Sequence, residues 1–399
     1  MGKKPKLLII TLGSLSFMSI VFVVTYQYIF NNSSITLGKY KGKVLIMAIK
    51  ASGGHMAAAN ALKARLGRDG YVSDIFILDD YDFLRIGPLY DYAIRSPMGR
   101  VMMNLSAPFY WMTGRYYFMG LTFILEHWLM VGEYGCIVSV MPMTYKAINY
   151  ALDYIGKSIP MVIIPTDLEE PWSGFWLDGQ NAFYLLGSQQ LLDQATHLVN
   201  QFRISGMLLR SEFTEDVKPK EERREELGLP KSSKVVLVLF GACGSSDMEI
   251  IAELMATHTE YHFVFVCGKG AKIQQALQKI QLQHNANYTI LGFVSDIHKW
   301  MQAADVCIGK PGPGVMSECV ASKLPMIFRD SFDVLRQERC VLKHVVTKKY
   351  GEVVHSWPEL PDALKLVMTN HGEYYARLTE VPKNNALDEA CKFIKQRIA

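Results

Sequence analysis

The sequence lacks any two cysteines in a Cys-x-x-Cys arrangement, and it lacks a large charge of either sign. Its seven cysteines are odd in number and scattered along the chain: Cys136, Cys243, Cys267, Cys307, Cys319, Cys340 and Cys391. This spacing argues against a zinc site and against a disulfide framework, so we expect buried, reduced thiols and no metal site. The formal net charge of +4 is too small to indicate a nucleic-acid-binding protein.

Charged residues are also missing from Leu7 to Phe30, which are almost wholly apolar or small. A helix of this length reaches about 36 Å, enough to cross a hydrocarbon core of about 30 Å. A cleaved signal peptide is the rival interpretation, but no small-x-small cleavage site follows the run. Residues 1–42 are therefore predicted to be a membrane anchor and linker. Lysines on both sides of the run leave its orientation open.

The remaining length suits two domains of ordinary size. In the first, predicted to span 43–208, the apolar run Lys43–Ile49 predicts a strand and Met56–Leu66 a helix. The run Tyr71–Leu78 predicts a second strand, which completes a Rossmann-like βαβ unit. Further strands are predicted at 136–140, 161–165 and 182–186.

Two residues of this domain are candidates for acid–base chemistry. His55 follows Gly53-Gly54 on the loop or first helical turn, where the helix dipole would keep its imidazole neutral. A neutral ring can serve as a general base or hydrogen-bond partner, or it can cap the helix without a chemical role. Asp167 ends a predicted strand at the sheet edge where ligands of α/β proteins bind, and it is either a second base candidate or a loop cap.

Residues 81–134 interrupt the alternation of strands and helices with many aromatic and methionine side chains, interleaved with arginines. Aromatics beside arginines suit a surface that dips into an anionic membrane or holds a lipid. Ordinary helix core is the alternative for any single residue. For the segment as a whole we favour contact with lipid.

The second domain is predicted to span 209–399, and the charged stretch 209–229 marks the boundary. Its strands are predicted at 234–240, 263–267, 288–291, 304–308 and 323–328, and the first four are each followed by a polar or glycine-rich turn. Five residues at strand carboxyl ends should therefore rim one crevice: Gly241, Ser245, Gly268, Phe293 and Gly312. The turn Gly309–Gly314 opens a helix whose amides and dipole suit a pyrophosphate, and Glu318 on that helix could accept hydrogen bonds from a ribose diol.

Two motifs identify a family. Gly292–Met301 (GFVSDIHKWM) and Gly309–Gly314 (GKPGPG) resemble the monogalactosyldiacylglycerol synthases and the bacterial processive diacylglycerol glucosyltransferases of glycosyltransferase family 28. The chain is more distantly similar to the peptidoglycan-precursor N-acetylglucosaminyltransferase. The resemblance runs from Lys43 to Val354 and is weaker in the first domain, where Gly53-Gly54-His55 and Thr166-Asp167-Leu168 carry it. It implies an α/β GT-B fold, with two Rossmann-like domains facing a cleft.

The resemblance also assigns roles to residues. It implies that His55 is the base or positions the acceptor; Asp167 is the rival from its position in the sequence. The resemblance implies that Phe293 and Val294 bind uracil, that Gly312, Pro313 and Gly314 bind diphosphate, that Glu318 binds ribose, and that Gln337 and Glu338 contact the sugar. From their positions in loops after strands we add Gly53, Gly54, Gly241, Ser245 and Gly268 to the predicted binding residues. Helix dipoles and loop amides can stabilise departing UDP, so no metal or other cofactor is expected.

The implied function is an inverting transfer of a hexose from a UDP-sugar to diacylglycerol. Partners would then be the UDP-hexose, the lipid acceptor and a membrane surface that can be anionic, and the domains would face the cytosol, where UDP-sugars are made. Transfer of N-acetylglucosamine to a polyprenyl-linked acceptor is the alternative enzyme. Departures from the family pattern at Lys50, Ser52, Ala242-Cys243 and Cys340-Val341 motivate a second alternative, a catalytically silent relative that binds a nucleotide-sugar or lipid.

Overall fold

A computed structural model describes residues 42–50, 53–81, 98, 101, 121–122, 124–241 and 244–398. These residues form two α/β domains, each built on a six-stranded parallel sheet. The first sheet has the order β2-β1-β3-β4-β5-β6. Its strands are β1 (Val44–Ala48), β2 (Ser73–Ile77), β3 (Cys136–Ser139), β4 (Met161–Ile163), β5 (Phe183–Leu186) and β6 (Gln201–Arg203).

The second sheet has the order β12-β11-β10-β7-β8-β9. Its strands are β7 (Lys234–Leu239), β8 (Tyr261–Val266), β9 (Tyr288–Leu291), β10 (Val306–Gly309), β11 (Met326–Arg329) and β12 (Gly351–Val354). In both sheets the strand order reverses beside the first strand of the domain, between β1 and β3 and between β7 and β10. Ligands of open α/β sheets bind outside the strand carboxyl ends at such a switch point.

Helices cover both sheets. In chain order they are α1 (Gly54–Arg68), α2 (Tyr145–Tyr154), α3 (Gln189–Gln194), α4 (Glu212–Glu215), α5 (Lys220–Glu226), α6 (Asp247–Met255), α7 (Ala271–His284), α8 (Ile297–Ala303), α9 (Pro313–Ala321), α10 (Arg336–Lys348), α11 (Leu360–Thr369), α12 (His371–Thr379) and α13 (Ala386–Arg397). Residues 124–132 are also helical. Coverage on both faces explains the continuous apolar runs: every residue of β1 is buried, as parallel strands require.

The predicted strands are confirmed, with ends that differ by up to three residues. Two edge strands, β6 and β12, were not predicted because they are short and carry polar side chains such as Gln201 and Glu352. An edge strand needs no continuous apolar sequence, since one of its sides lacks a neighbour.

The last helix departs from the predicted division of the chain at residue 209. Helix α13 packs against α1 and shares a core with β1, to which it contributes Leu387, Cys391 and Ile394. The second domain therefore ends before this helix, and the chain returns to the first domain. The apolar stripe of α13 indicates only that one face is buried, whereas the identity of its partner depends on the path of the chain.

The predicted membrane anchor, Leu7–Phe30, lies outside the described residues. Among the helices that the structure does describe, none is both long enough and apolar enough to cross a bilayer. Most of the aromatic segment 81–134 also lies outside the described ranges. Its described part contributes Leu125 and Trp128 to the core of the first domain, with Trp128 edge-on to Phe76 at a ring-centroid distance of 5.5 Å. Trp128 is therefore ordinary core, as expected for single residues of this segment, and the lipid-facing role of the segment as a whole stays a prediction.

The described cysteines are free and buried, as predicted: Cys136, Cys267, Cys307, Cys319, Cys340 and Cys391.

Candidate active site

His55 lies at the switch point of the first sheet. It occupies the first turn of α1, directly after β1, and its Nδ1 lies 2.8 Å from the carbonyl oxygen of Val140, directly after β3. Because a carbonyl oxygen can only accept, Nδ1 must carry the proton. Thr166 Oγ1, 2.9 Å from the same nitrogen, shares that N–H as a second acceptor. The other ring nitrogen, Nε2, therefore holds the lone pair that a general base needs.

Burial keeps this ring neutral. It lowers the pKa of His55 to about 4, and the hydrogen bond to the Val140 carbonyl only partly opposes the shift. The sequence predicted a neutral imidazole from the helix dipole, whereas desolvation is the main cause in the structure. Gly53 permits the turn that leads into α1, since it takes a left-handed φ of 74° immediately before the helix. Gly54, the first residue of α1, is exposed.

Asp167 lies beside His55 and is the rival proton acceptor. Trp176 connects the two residues: its indole Nε1 donates to Asp167 Oδ2 at 2.8 Å, and its ring centroid lies 6.2 Å from that of His55. Burial raises the pKa of Asp167 to about 7, with the Trp176 hydrogen bond opposing and the charge of Glu338 adding to the shift. Glu338 belongs to the second domain, so Asp167 faces the cleft between the domains.

The predicted diphosphate site lies at the switch point of the second sheet. Helix α9 begins at Pro313, with Gly312 as its N-cap residue and no side chain capping its first amides. Gly241, after β7, takes a left-handed φ of 76° beside it. Ser245 is less directly available, because its Oγ accepts a hydrogen bond at 3.2 Å from the amide of Asp247, the first residue of α6. The free amides and dipole of α9 suit an anion.

The predicted uracil site lies at the ends of the neighbouring strands. Gly268 follows β8 and its amide donates to the carbonyl of Gly292 at 3.2 Å, after β9. Phe293 comes next and exposes 65% of its surface, although it is a large apolar side chain. Val294 beside it is half-buried. An exposed ring at this edge leaves a face on which a base can stack.

Glu318, predicted to bind ribose, is paired with a residue that the sequence did not indicate. Arg210 comes from the segment between the domains, and its Nη2 lies 3.7 Å from Glu318 Oε1. Its Nη1 donates to the carbonyl of Ser295 at 2.9 Å, beside the uracil site. Burial raises the pKa of Glu318 to about 7, and Arg210 partly opposes that shift. A lone arginine after the apolar Met207-Leu208-Leu209 was the only signal for it in the sequence.

The predicted sugar-binding pair opens helix α10. Gln337 is half-buried, and Glu338 is buried and forms an ion pair with Lys310 at 3.3 Å. The structure thus brings Gly241, Gly312 and Glu338 around Lys310, while His55 and Asp167 occupy the first domain.

The chain has an Asp-x-Asp triplet, Asp80-Tyr81-Asp82, of the spacing that metal-dependent glycosyltransferases use. Asp80 forms an ion pair with Lys50, and Asp82 lies outside the described residues. Among the described residues, no group of three His, Cys, Asp or Glu side chains is placed to hold a metal ion.

Two parallel-sheet domains, each with a switch point at its strand carboxyl ends, form the fold that is called GT-B. Known structures share this fold over most of the chain. The MurG structure from Acinetobacter baumannii superimposes with a TM-score of 0.58 at 16% identity, covering 89% of this chain and 99% of that one. The calicheamicin glycosyltransferase superimposes with a TM-score of 0.60 at 11% identity, covering 90% and 99%.

The family is visible in the second domain. Residues 235–389 match the glycosyltransferase family 28 C-terminal domain, so the resemblance drawn from the sequence is confirmed. The processive diacylglycerol beta-glucosyltransferase of Bacillus pumilus is 30% identical over 175 residues, 43% of this chain and 45% of that protein. The chloroplastic monogalactosyldiacylglycerol synthase of Spinacia oleracea is 24% identical over 341 residues, 80% of this chain and 64% of that protein. These matches therefore span about half to two thirds of the relatives' length.

Proposed function

We propose that this protein transfers a hexose from a UDP-sugar to diacylglycerol with inversion at the anomeric carbon. One observation carries the proposal: His55 presents an unprotonated Nε2 at the switch point of one domain, while the other domain presents an uncapped helix N-terminus at its own. The unprotonated nitrogen can accept the proton of an attacking alcohol, and the helix N-terminus can stabilise a departing diphosphate. A cleft that contains both the proton acceptor and the anion-binding helix end is suited to glycosyl transfer.

The reaction would run as a single displacement. The acceptor oxygen attacks C1 of the sugar from the face opposite the diphosphate, and its proton passes to His55 Nε2. The bond from C1 to the β-phosphate oxygen breaks, and its electron pair leaves with UDP. The Nδ1 hydrogen bond to Val140 holds the ring in the required tautomer and stabilises the imidazolium that forms. The amides at the start of α9 stabilise the negative charge that develops on UDP.

The names of two relatives support diacylglycerol as the acceptor. Diacylglycerol appears in the names of both the Bacillus pumilus and the Spinacia oleracea proteins, and the match to the second extends over most of this chain. The predicted anchor would hold the cleft near a bilayer, where such an acceptor is found. The donor hexose stays open, since one relative is named for glucose and the other for galactose.

Incubation of the full chain with diacylglycerol vesicles and radiolabelled UDP-glucose or UDP-galactose tests the proposal. We expect a labelled monoglycosyl lipid from one of the two donors. Labelled product only from UDP-N-acetylglucosamine and a polyprenyl-linked acceptor would identify the alternative enzyme. UDP binding without turnover on any of these pairs would indicate a catalytically silent relative, and either result would refute the proposal.

The pH profile of turnover should distinguish the two proton acceptors. If His55 is the base, its pKa of about 4 keeps it unprotonated down to that pH, so turnover at saturating donor should change little between about pH 8 and 5. If Asp167 is the base, its pKa of about 7 would make turnover fall roughly tenfold per pH unit below that value. We expect the flat profile, and an acid limb near pH 7 that disappears in Asp167→Asn would reverse the assignment.

A further inference from the structure

Lys310 lies inside the predicted diphosphate site, although neither composition nor spacing gave it a role. It follows Gly309 at the end of β10 and precedes the turn into α9. A Cβ atom added to Gly241 would stand 3.8 Å from Lys310 Cε, and one added to Gly312 would stand 3.9 Å from it. The end of the lysine stem therefore lies close to both glycine turns of the switch point.

The ammonium group is engaged by a carboxylate with a different predicted role. Lys310 Nζ lies 3.3 Å from Glu338 Oε1, and the two side chains are 31% and 10% exposed. A carboxylate this buried is costly without a partner of opposite charge. Glu338 is also the residue to which the family resemblance assigns the donor sugar. Lys310 thus pairs with the same carboxylate that a bound sugar would need.

We propose that Lys310 exchanges partners when the donor binds: its ammonium group leaves Glu338 for the β-phosphate and frees that carboxylate for a sugar hydroxyl. This inference rests on the proposed function. The exchange requires rotation of the lysine side chain, which carries its charge on a flexible four-carbon stem, and a sugar hydroxyl that then donates to the buried carboxylate. A diphosphate offers more negative charge than one carboxylate, and the amides at the start of α9 hold it beside the same stem.

The exchange has a consequence for the chemical step. When the bond from C1 to the β-phosphate oxygen breaks, its electron pair stays on that oxygen and the negative charge of UDP increases by one. The new bond joins C1 to the acceptor oxygen, whose proton moves to His55 Nε2. A cation at the β-phosphate would stabilise the transition state more than the ground state, which is the condition for raising turnover.

Calorimetric titration of the full chain with UDP and with UMP tests the exchange, because UMP lacks the β-phosphate. We expect Lys310→Met to weaken UDP binding by about 10- to 100-fold, the range for a lost charge-assisted contact, and to leave UMP binding within about twofold. Lys310→Arg retains the charge and should restore most of the UDP affinity. A loss for UMP as large as that for UDP would show a general structural role instead and overturn the inference.

Glu338→Gln provides the matched control. Removal of the competing carboxylate should leave UDP binding unchanged or tighter, because Lys310 is then available without an exchange. If the ion pair only maintained the structure, Glu338→Gln would weaken UDP binding as much as Lys310→Met does. Equal UDP affinity in the wild type and Lys310→Met would refute the role of Lys310 while leaving the proposed function intact. Failure of the wild type to bind either nucleotide would overturn both.

Discussion

Replacement of His55 by alanine should lower turnover by about 10²–10⁴-fold, the usual contribution of a positioned general base. The affinity for UDP should stay nearly unchanged, because the predicted donor site lies in the other domain. Steady-state assays at saturating donor, together with calorimetric titration of UDP, measure the two quantities separately. The effect is large because Nε2 is the unprotonated nitrogen of the ring, and alanine leaves the acceptor proton without a receiver at that position.

The variant His55→Asn separates the loss of the base from the loss of the hydrogen bond to Val140. His55→Asn keeps an N–H near the position of Nδ1, where it can still donate to the Val140 carbonyl, but it removes Nε2. We expect it to be as inactive as alanine and more stable. Glu318→Ala should act in the opposite sense, by weakening UDP binding about 10-fold or more through a lost charge-assisted hydrogen bond. Retention of most activity in both His55 variants, with loss in Asp167→Asn, would assign the base to the aspartate.

Replacement of Lys43 by alanine should lower the free energy of unfolding by about 3–5 kcal/mol, the cost of breaking a buried ion pair from one side. Lys43 begins the first domain and is fully buried, with Nζ 3.2 Å from Asp74 Oδ2 and 4.7 Å from the ring centroid of Tyr134. Tyr134 donates a hydrogen bond to the same carboxylate at 2.7 Å. Alanine would remove the ammonium group of Lys43 from the buried carboxylate of Asp74. Urea unfolding followed by circular dichroism measures the loss.

The double variant Lys43→Met, Asp74→Asn is the control for this prediction. It removes both charges, fills the volume of the lysine stem and keeps an oxygen that accepts from Tyr134. Replacing both members of a buried pair is far less costly than removing one, so we expect the double variant to recover more than half of the lost stability. A double variant as unstable as Lys43→Ala would show that packing around the lysine stem matters more than the charge.

Much of the fold could be predicted from the local sequence. Each predicted strand is a short apolar run, and the turns that end at His55 and Pro313 combine glycine with the start of a helix. Such patterns determine the two Rossmann-like halves, because the burial of a parallel strand and the backbone freedom of glycine are properties of adjacent residues. The alternation of strands and helices then restricts the topology to a few arrangements. These patterns also place the candidate residues at strand carboxyl ends.

Tertiary structure decided the chemical state of those residues. The tautomer of His55 depends on Val140, which is 85 residues away. The pKa values of His55 and Asp167 move in opposite directions because burial disfavours whichever form is charged.

The ion pairs of the donor site are likewise formed only by the fold. Arg210 reaches Glu318 from the segment between the domains, and Lys310 reaches Glu338 at the start of another helix. The amphipathic pattern of α13 showed a buried face but not that the face packs on the first domain. Desolvation and Coulomb energies depend on distances between atoms, and only the folded chain sets those distances for residues that are far apart in sequence.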